Sequence, residues 1–67
     1  MSKVNVYLAD GFEEVEGLTV VDLLRRAGIE TDMVSIMGRK EITGARKIPV
    51  LADKLFEEQD NPDVIVL

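Results

Sequence analysis

The 67-residue chain contains no cysteine, no histidine and no tryptophan. Without cysteine these residues hold no disulfide framework, no thiolate metal site and no thiol nucleophile. Without histidine the usual general base and the commonest transition-metal ligand are missing too. Positive charge is scarce: eight basic against thirteen acidic side chains give a formal net charge of −5. The basic residues form only short clusters such as Arg25-Arg26 and Arg39-Lys40, with no stripe that could track a phosphate backbone, so no nucleic-acid surface is expected. No apolar run approaches the roughly 20 residues of a membrane span, and no charged leader followed by a long apolar segment opens the chain. The expectation is a cytoplasmic setting with no membrane partner. Gly11, Gly17, Gly28, Gly38 and Gly44 match neither the dinucleotide fingerprint nor the P-loop spacing, so no cofactor is expected.

What is present reads as core sequence. Residues 4–9 are β-branched and aromatic and stop at Asp10-Gly11, as a strand entering a turn does. Residues 13–27 lack proline and predict a helix. Glu13, Glu14 and Glu16 stand in its first turn and Arg25 and Arg26 in its last, each suited to the helix dipole, with Gly28 as the stop. Alternation over 30–37 predicts a second strand, and Gly38-Arg39-Lys40 a turn. Residues 41–53 hold two short β-favouring pieces around Gly44, the second containing Pro49, which suits a hairpin outside any central ladder. Asp53 is placed to cap a short helix through Glu58. The apolar run 64–67 predicts a last strand, buried on both faces. Strands alternating with helical segments predict an α/β fold: a parallel sheet with helices on both faces, in flavodoxin-like order, the first strand lying between the second and the last.

A domain of this size buries only about 60% of its unfolded surface, and nothing in the sequence staples it. A doubly buried strand at 64–67 with a free edge would be an aggregation hazard. The expectation is therefore that residues 1–67 are the N-terminal portion of one larger α/β domain, partnered by a complementary C-terminal segment.

Turning the helix about 100° per residue gathers Val20, Leu23, Leu24 and Ala27 on one arc, with Val21 at its margin. Glu16 joins that stripe. A carboxylate there points toward the sheet, or toward a cleft at the C-terminal ends of the strands, where open α/β sheets bind ligands. An acid in such a place can orient or stabilise a nucleophile supplied by another segment, the alternative being a first-turn glutamate that bends outward to solvent. Val15 and Leu18 fall on the polar side, either as scattered surface residues or as a patch for a second subunit. Asp10, directly after the first strand, is read as a turn residue, with a phosphoacceptor acid as the alternative. Arg46-Lys47 is read as a solvated pair, with anion or carboxylate binding as the alternative.

The run Val6-Tyr7-Leu8-Ala9-Asp10-Gly11-Phe12-Glu13-Glu14-Val15-Glu16-Gly17-Leu18-Thr19 resembles the opening of the ThiJ/PfpI family, within the class I glutamine amidotransferase-like superfamily. The likeness continues through Val21-Asp22-Leu23-Leu24-Arg25-Arg26-Ala27-Gly28-Ile29, Leu51-Ala52-Asp53 and Asp63-Val64-Ile65-Val66-Leu67. It implies a flavodoxin-like sandwich, usually dimeric, with a cysteine nucleophile on a strand-to-helix elbow. It puts at Glu16 the glutamate that hydrogen-bonds this cysteine and that, when protonated, would favour the thiolate and stabilise its sulfinate on oxidation. It implies a homodimer interface on the first helix, using Val15 and Leu18, and an approach of Arg46 to the partner subunit near the active site.

The family's Pro-Gly-Gly loop, cysteine elbow and histidine have no counterpart in these 67 residues. Two functional expectations result. One is the N-terminal part of a cysteine-dependent glyoxalase or deglycase acting on methylglyoxal and its adducts, this chain alone being inactive. The other is a redox-regulated chaperone or stress-response module of the same fold, without turnover.

Overall fold

A computed structural model describes residues 3–58 and 61–66. Strand β1 (Lys3–Leu8) leads through a tight turn into helix α1 (Glu14–Arg26), and β2 (Glu30–Ser35) follows. A hairpin of β3 (Glu41–Thr43) and β4 (Pro49–Leu51) precedes β5 (Lys54–Leu55), a single 3-10 turn (Phe56–Glu58) and β6 (Val64–Val66). The main sheet is wholly parallel in the order β5-β2-β1-β6. The first strand thus lies between the second and the last, as the sequence predicts.

Alternation along β1 sorts its residues. Val4, Val6 and Leu8 are buried together with Val21 of α1 and Ile42 of the hairpin. The intervening Tyr7 meets Phe56 edge-to-face at 5.7 Å. Full burial of each such aliphatic side chain is worth about 1.5–3 kcal/mol, so these few residues carry much of the core. Helix α1 ends as its sequence implies: Gly28 follows at φ 80°, and its N–H and that of Ile29 donate to the carbonyls of Arg25 and Leu24. Register in the hairpin pairs Ile42 with Val50 and Thr43 with Pro49. Proline is thereby confined to a two-stranded ribbon, apart from the main ladder.

Four expectations are corrected. The first concerns the face of α1. Val21 is the buried aliphatic residue of the helix, Val20 and Leu24 are partly buried, Ala27 is exposed and Leu23 is 59% exposed. The arc that packs on the core keeps Val20, Val21 and Leu24, centred on Val21, and leaves Leu23 and Ala27 outside it. The second concerns residues 53–58, which form β5 and a 3-10 turn in place of a capped helix. The Asp53 carboxylate accepts from Met33 N–H (2.8 Å) and the Arg25 guanidinium (2.7 Å), while Asp53 N–H donates to Met33 O (2.8 Å). These bonds draw the chain alongside β2 and leave Asp53 no freedom to cap a helix. The third concerns β6, which is half-exposed at Val64 and Ile65 and forms the edge of the described sheet. Leu67, the last residue of that predicted strand, lies outside the described residues. The second strand also stops at Ser35, two residues early. The Ser35 hydroxyl donates to Arg39 O and accepts Met37 N–H, which bends the chain away.

Candidate active-site cleft

The turn after β1 places the candidate residues. Leu8 ends the strand, Phe12 N–H closes the turn onto Ala9 O (3.1 Å), and α1 begins two residues later. A cleft of about 360 Å³ opens between the C-terminal half of β1, the start of α1 and β6. Val6, Leu8, Phe12, Val20 and Val66 give it apolar walls; Glu13 and Glu16 bring carboxylates to it. Gly17 allows this closeness, because a Cβ there would sit 3.1 Å from the Phe12 ring.

Glu16 therefore borders a cleft at the strand ends, one of the two positions its spacing suggests. It is exposed, however, and not buried against the sheet. The cause is the placing of Val21 on the core: Glu16 and Val20 then flank the buried face and line the cleft, with Val66 of β6 across it. Val15 is 78% exposed and Leu18 half-buried, both available on the outer side of α1. Arg46 is exposed in the loop between β3 and β4.

The buried carboxylate is Glu14, which sequence reasoning treats only as a first-turn acid. It is 6% exposed, and its Oε2 accepts the backbone N–H groups of Arg46 (2.8 Å) and Ile48 (3.4 Å). Burial opposes its charge. Its own backbone N–H, those of Arg46 and Ile48, and the Arg46 charge outweigh burial and hold its carboxyl below the usual glutamate value. The partners lie 32 and 34 residues away. No local spacing signals them.

Asp10 also serves the hairpin. Its carboxylate accepts Thr43 N–H (3.0 Å) and pairs with Arg39, while Gly11 N–H donates to Thr43 O (2.8 Å). The Thr43 N–H is the main cause holding its carboxyl below the ordinary aspartate value; desolvation opposes this and Arg39 adds to it. These contacts account for Asp10 as a turn residue. Among the described residues no group of three acidic side chains converges as around a metal ion, and no helix is long and apolar enough to cross a membrane.

A profile of the DJ-1/PfpI family matches residues 2–67. The chain belongs to the DJ-1/PfpI family. It is 36% identical to Protein dj-1beta of Drosophila melanogaster over 64 residues, covering 92% of this chain and 34% of that protein. It is 33% identical to Protein DJ-1 homolog B of Arabidopsis thaliana, covering 97% of this chain and 15% of that protein. Among solved structures, a DJ-1 superfamily protein from Salmonella typhimurium, crystallised as a cysteine-to-alanine mutant, superposes with TM-score 0.94 at 36% identity. That match covers all of this chain and 37% of the other. Oxidised Toxoplasma gondii DJ-1 superposes with TM-score 0.91, also at 36% identity, covering 97% of this chain and 36% of that one. A DJ-1/PfpI chain of 67 residues thus spans well under half the length of these relatives.

Proposed function

We propose that these residues are the N-terminal part of a cysteine-dependent DJ-1/PfpI domain acting on methylglyoxal and its adducts. Glu16 would support a cysteine carried by a segment outside the 67 residues. The observation that carries this reading is the place of Glu16: a carboxylate bordering an apolar cleft at the C-terminal end of β1, in a chain of this family. A thiol brought into the cleft beside Glu16 would be partly enclosed, and an O–H donated by the Glu16 carboxyl to its sulfur would favour the thiolate. Its thiolate adds to the aldehyde carbon of the substrate, the carbonyl pair moves to oxygen, and a proton then neutralises that oxygen. Two of the similar structures are a cysteine mutant and an oxidised form, which suits a family whose cysteine matters.

The complementary C-terminal segment is the first partner in this reading. A second copy is the next, docked on the outer side of α1 through Val15 and Leu18, with Arg46 approaching the partner's site. The test is methylglyoxal consumption by the full-length protein. Replacing its nucleophilic cysteine by serine abolishes turnover, and Glu16→Gln lowers it by about 10²-fold with the fold intact. Wild-type turnover in Glu16→Gln contradicts the assigned role. Exposed Val15, Leu23, Val64 and Ile65 favour a second reading, a redox-regulated chaperone that binds unfolded clients through apolar surface. Client protection that survives the cysteine-to-serine change, with no turnover by the wild type, selects it.

A further inference from the structure

The buried carboxylate at the base of α1 invites a specific role. Glu14 opens the helix, and its side chain reaches under the 44–48 loop. There a single oxygen, Oε2, takes two backbone N–H groups of that loop. The loop is otherwise a tight ring: Gly44 N–H donates to Ile48 O (3.0 Å), Lys47 N–H donates to Gly44 O (2.9 Å), and Lys47 adopts φ 65°. Ala45 N–H anchors it a second time, to Phe12 O (2.8 Å). Gly44 is buried against the carboxylate, and a Cβ there would collide with Glu14 Oε2. The other oxygen, Oε1, is buried without a hydrogen-bond partner among the described residues. A carboxylate that leaves one buried oxygen unmatched costs stability. An apolar side chain would fill the same space but leave the Arg46 and Ile48 amides without this acceptor, so the carboxylate is there for what Oε2 holds. What Oε2 holds is the backbone of Arg46 itself.

We propose that Glu14 is a positioning residue: by gripping the Arg46 and Ile48 amides it fixes the 44–48 loop and so sets where the Arg46 guanidinium stands. The assignment rests on the reading above that Arg46 approaches the active site. A long arginine side chain spends less entropy reaching a substrate or a partner carboxylate when its backbone anchor is rigid. Gly44 belongs to the same device, since only a residue without Cβ leaves Oε2 room to reach both amides.

The experiment uses the full-length protein with methylglyoxal as the probe. Amide hydrogen exchange is read at Arg46 and Ile48, with Val6 and Leu8 of β1 as internal controls, and KM and kcat are measured in parallel. Glu14→Ala is expected to speed exchange at Arg46 and Ile48 by about tenfold, the loss of roughly one hydrogen bond, with β1 unchanged. It is expected to raise KM as Arg46→Ala does, and the double variant to be no worse than Arg46→Ala alone. Glu14→Gln keeps an acceptor of the same reach and is expected to restore most of the protection. Gly44→Ala reaches the same loop from the other side and is expected to reproduce Glu14→Ala even where that variant folds poorly. Unchanged exchange at Arg46 and Ile48 in folded Glu14→Ala or Gly44→Ala overturns the positioning role and leaves Arg46 untouched. An unchanged KM in Arg46→Ala overturns instead the reading of Arg46, and the exchange data report on Glu14 regardless.

Discussion

At the scale of single residues, the first helical turn holds two carboxylates with opposite surroundings. Glu14 is enclosed and bonded to backbone amides; Glu16, two residues on, faces an open cleft. A helix separates such neighbours by about 200°, so one can serve the fold while the other serves chemistry. The carboxyls of Asp10, Glu14 and Asp32 are all held below their ordinary values. For Asp32, burial opposes the charge, and hydrogen bonds from Lys3 (2.7 Å) and Lys54 (3.0 Å) overcome it. The same bonds, Asp32 first and Glu30 second, raise Lys3 above the usual lysine range. A depressed acid stabilises the folded state fully above its unfolded value and loses that contribution as pH falls through its folded value. Stability is therefore expected to be flat through neutral pH and to decline once pH drops below about 4, where unfolded carboxyls begin to bind protons. Denaturant midpoints across that range check this; a decline beginning between pH 6 and 7 would contradict it. The place of Glu16 beside a cleft is one that its spacing allows, and its exposure is that of a first-turn glutamate turned to solvent. Glu14 was hidden because its partners lie in the far hairpin, and a sequence pattern carries no record of contacts made across 32 residues.

At the scale of elements, β1, α1 and the hairpin were legible because each obeys one dominant local rule: alternation, dipole-matched ends with a glycine stop, and a proline kept off the central ladder. The short segment at 53–58 was not, since two bonds to Met33 and one to Arg25 override its local preference for a helical turn. The face of α1 was misjudged for a related reason. Its apolar residues exceed what one contact needs, so Val21 is buried on the sheet while Leu23 looks outward. The hairpin's hold on the core rests on Ile42, which is completely buried among Val4, Val6, Leu8 and Val21. Ile42→Ala is expected to cost about 3 kcal/mol and to loosen the hairpin, raising protease sensitivity in the 44–48 loop. Thermal denaturation together with mapped proteolysis reads both effects. A loss under about 1 kcal/mol would mean the hairpin is not fastened by this residue.

At the scale of the whole molecule, one side of the described fold is bare. Strand β6 pairs with β1 and, among the described residues, with no other strand; its Val64 and Ile65 are half-exposed. In a parallel sheet both faces and interior edges are normally covered. The 67 residues in isolation are expected to self-associate or to bind a hydrophobic dye, and to become monodisperse when joined to the complementary segment. Light scattering of both forms would show it; a monodisperse isolated chain that binds no dye would contradict it. The parallel order was legible from the alternation of elements. The central claim is that the cleft beside Glu16 is completed by a cysteine from outside these residues. The most direct measurement is the pH dependence of thiol alkylation in the full-length protein and its Glu16→Gln variant. The account predicts a depressed cysteine pKa in the wild type that climbs toward the about 8.5 of a free thiol in the variant. Identical alkylation profiles in the two proteins would contradict it.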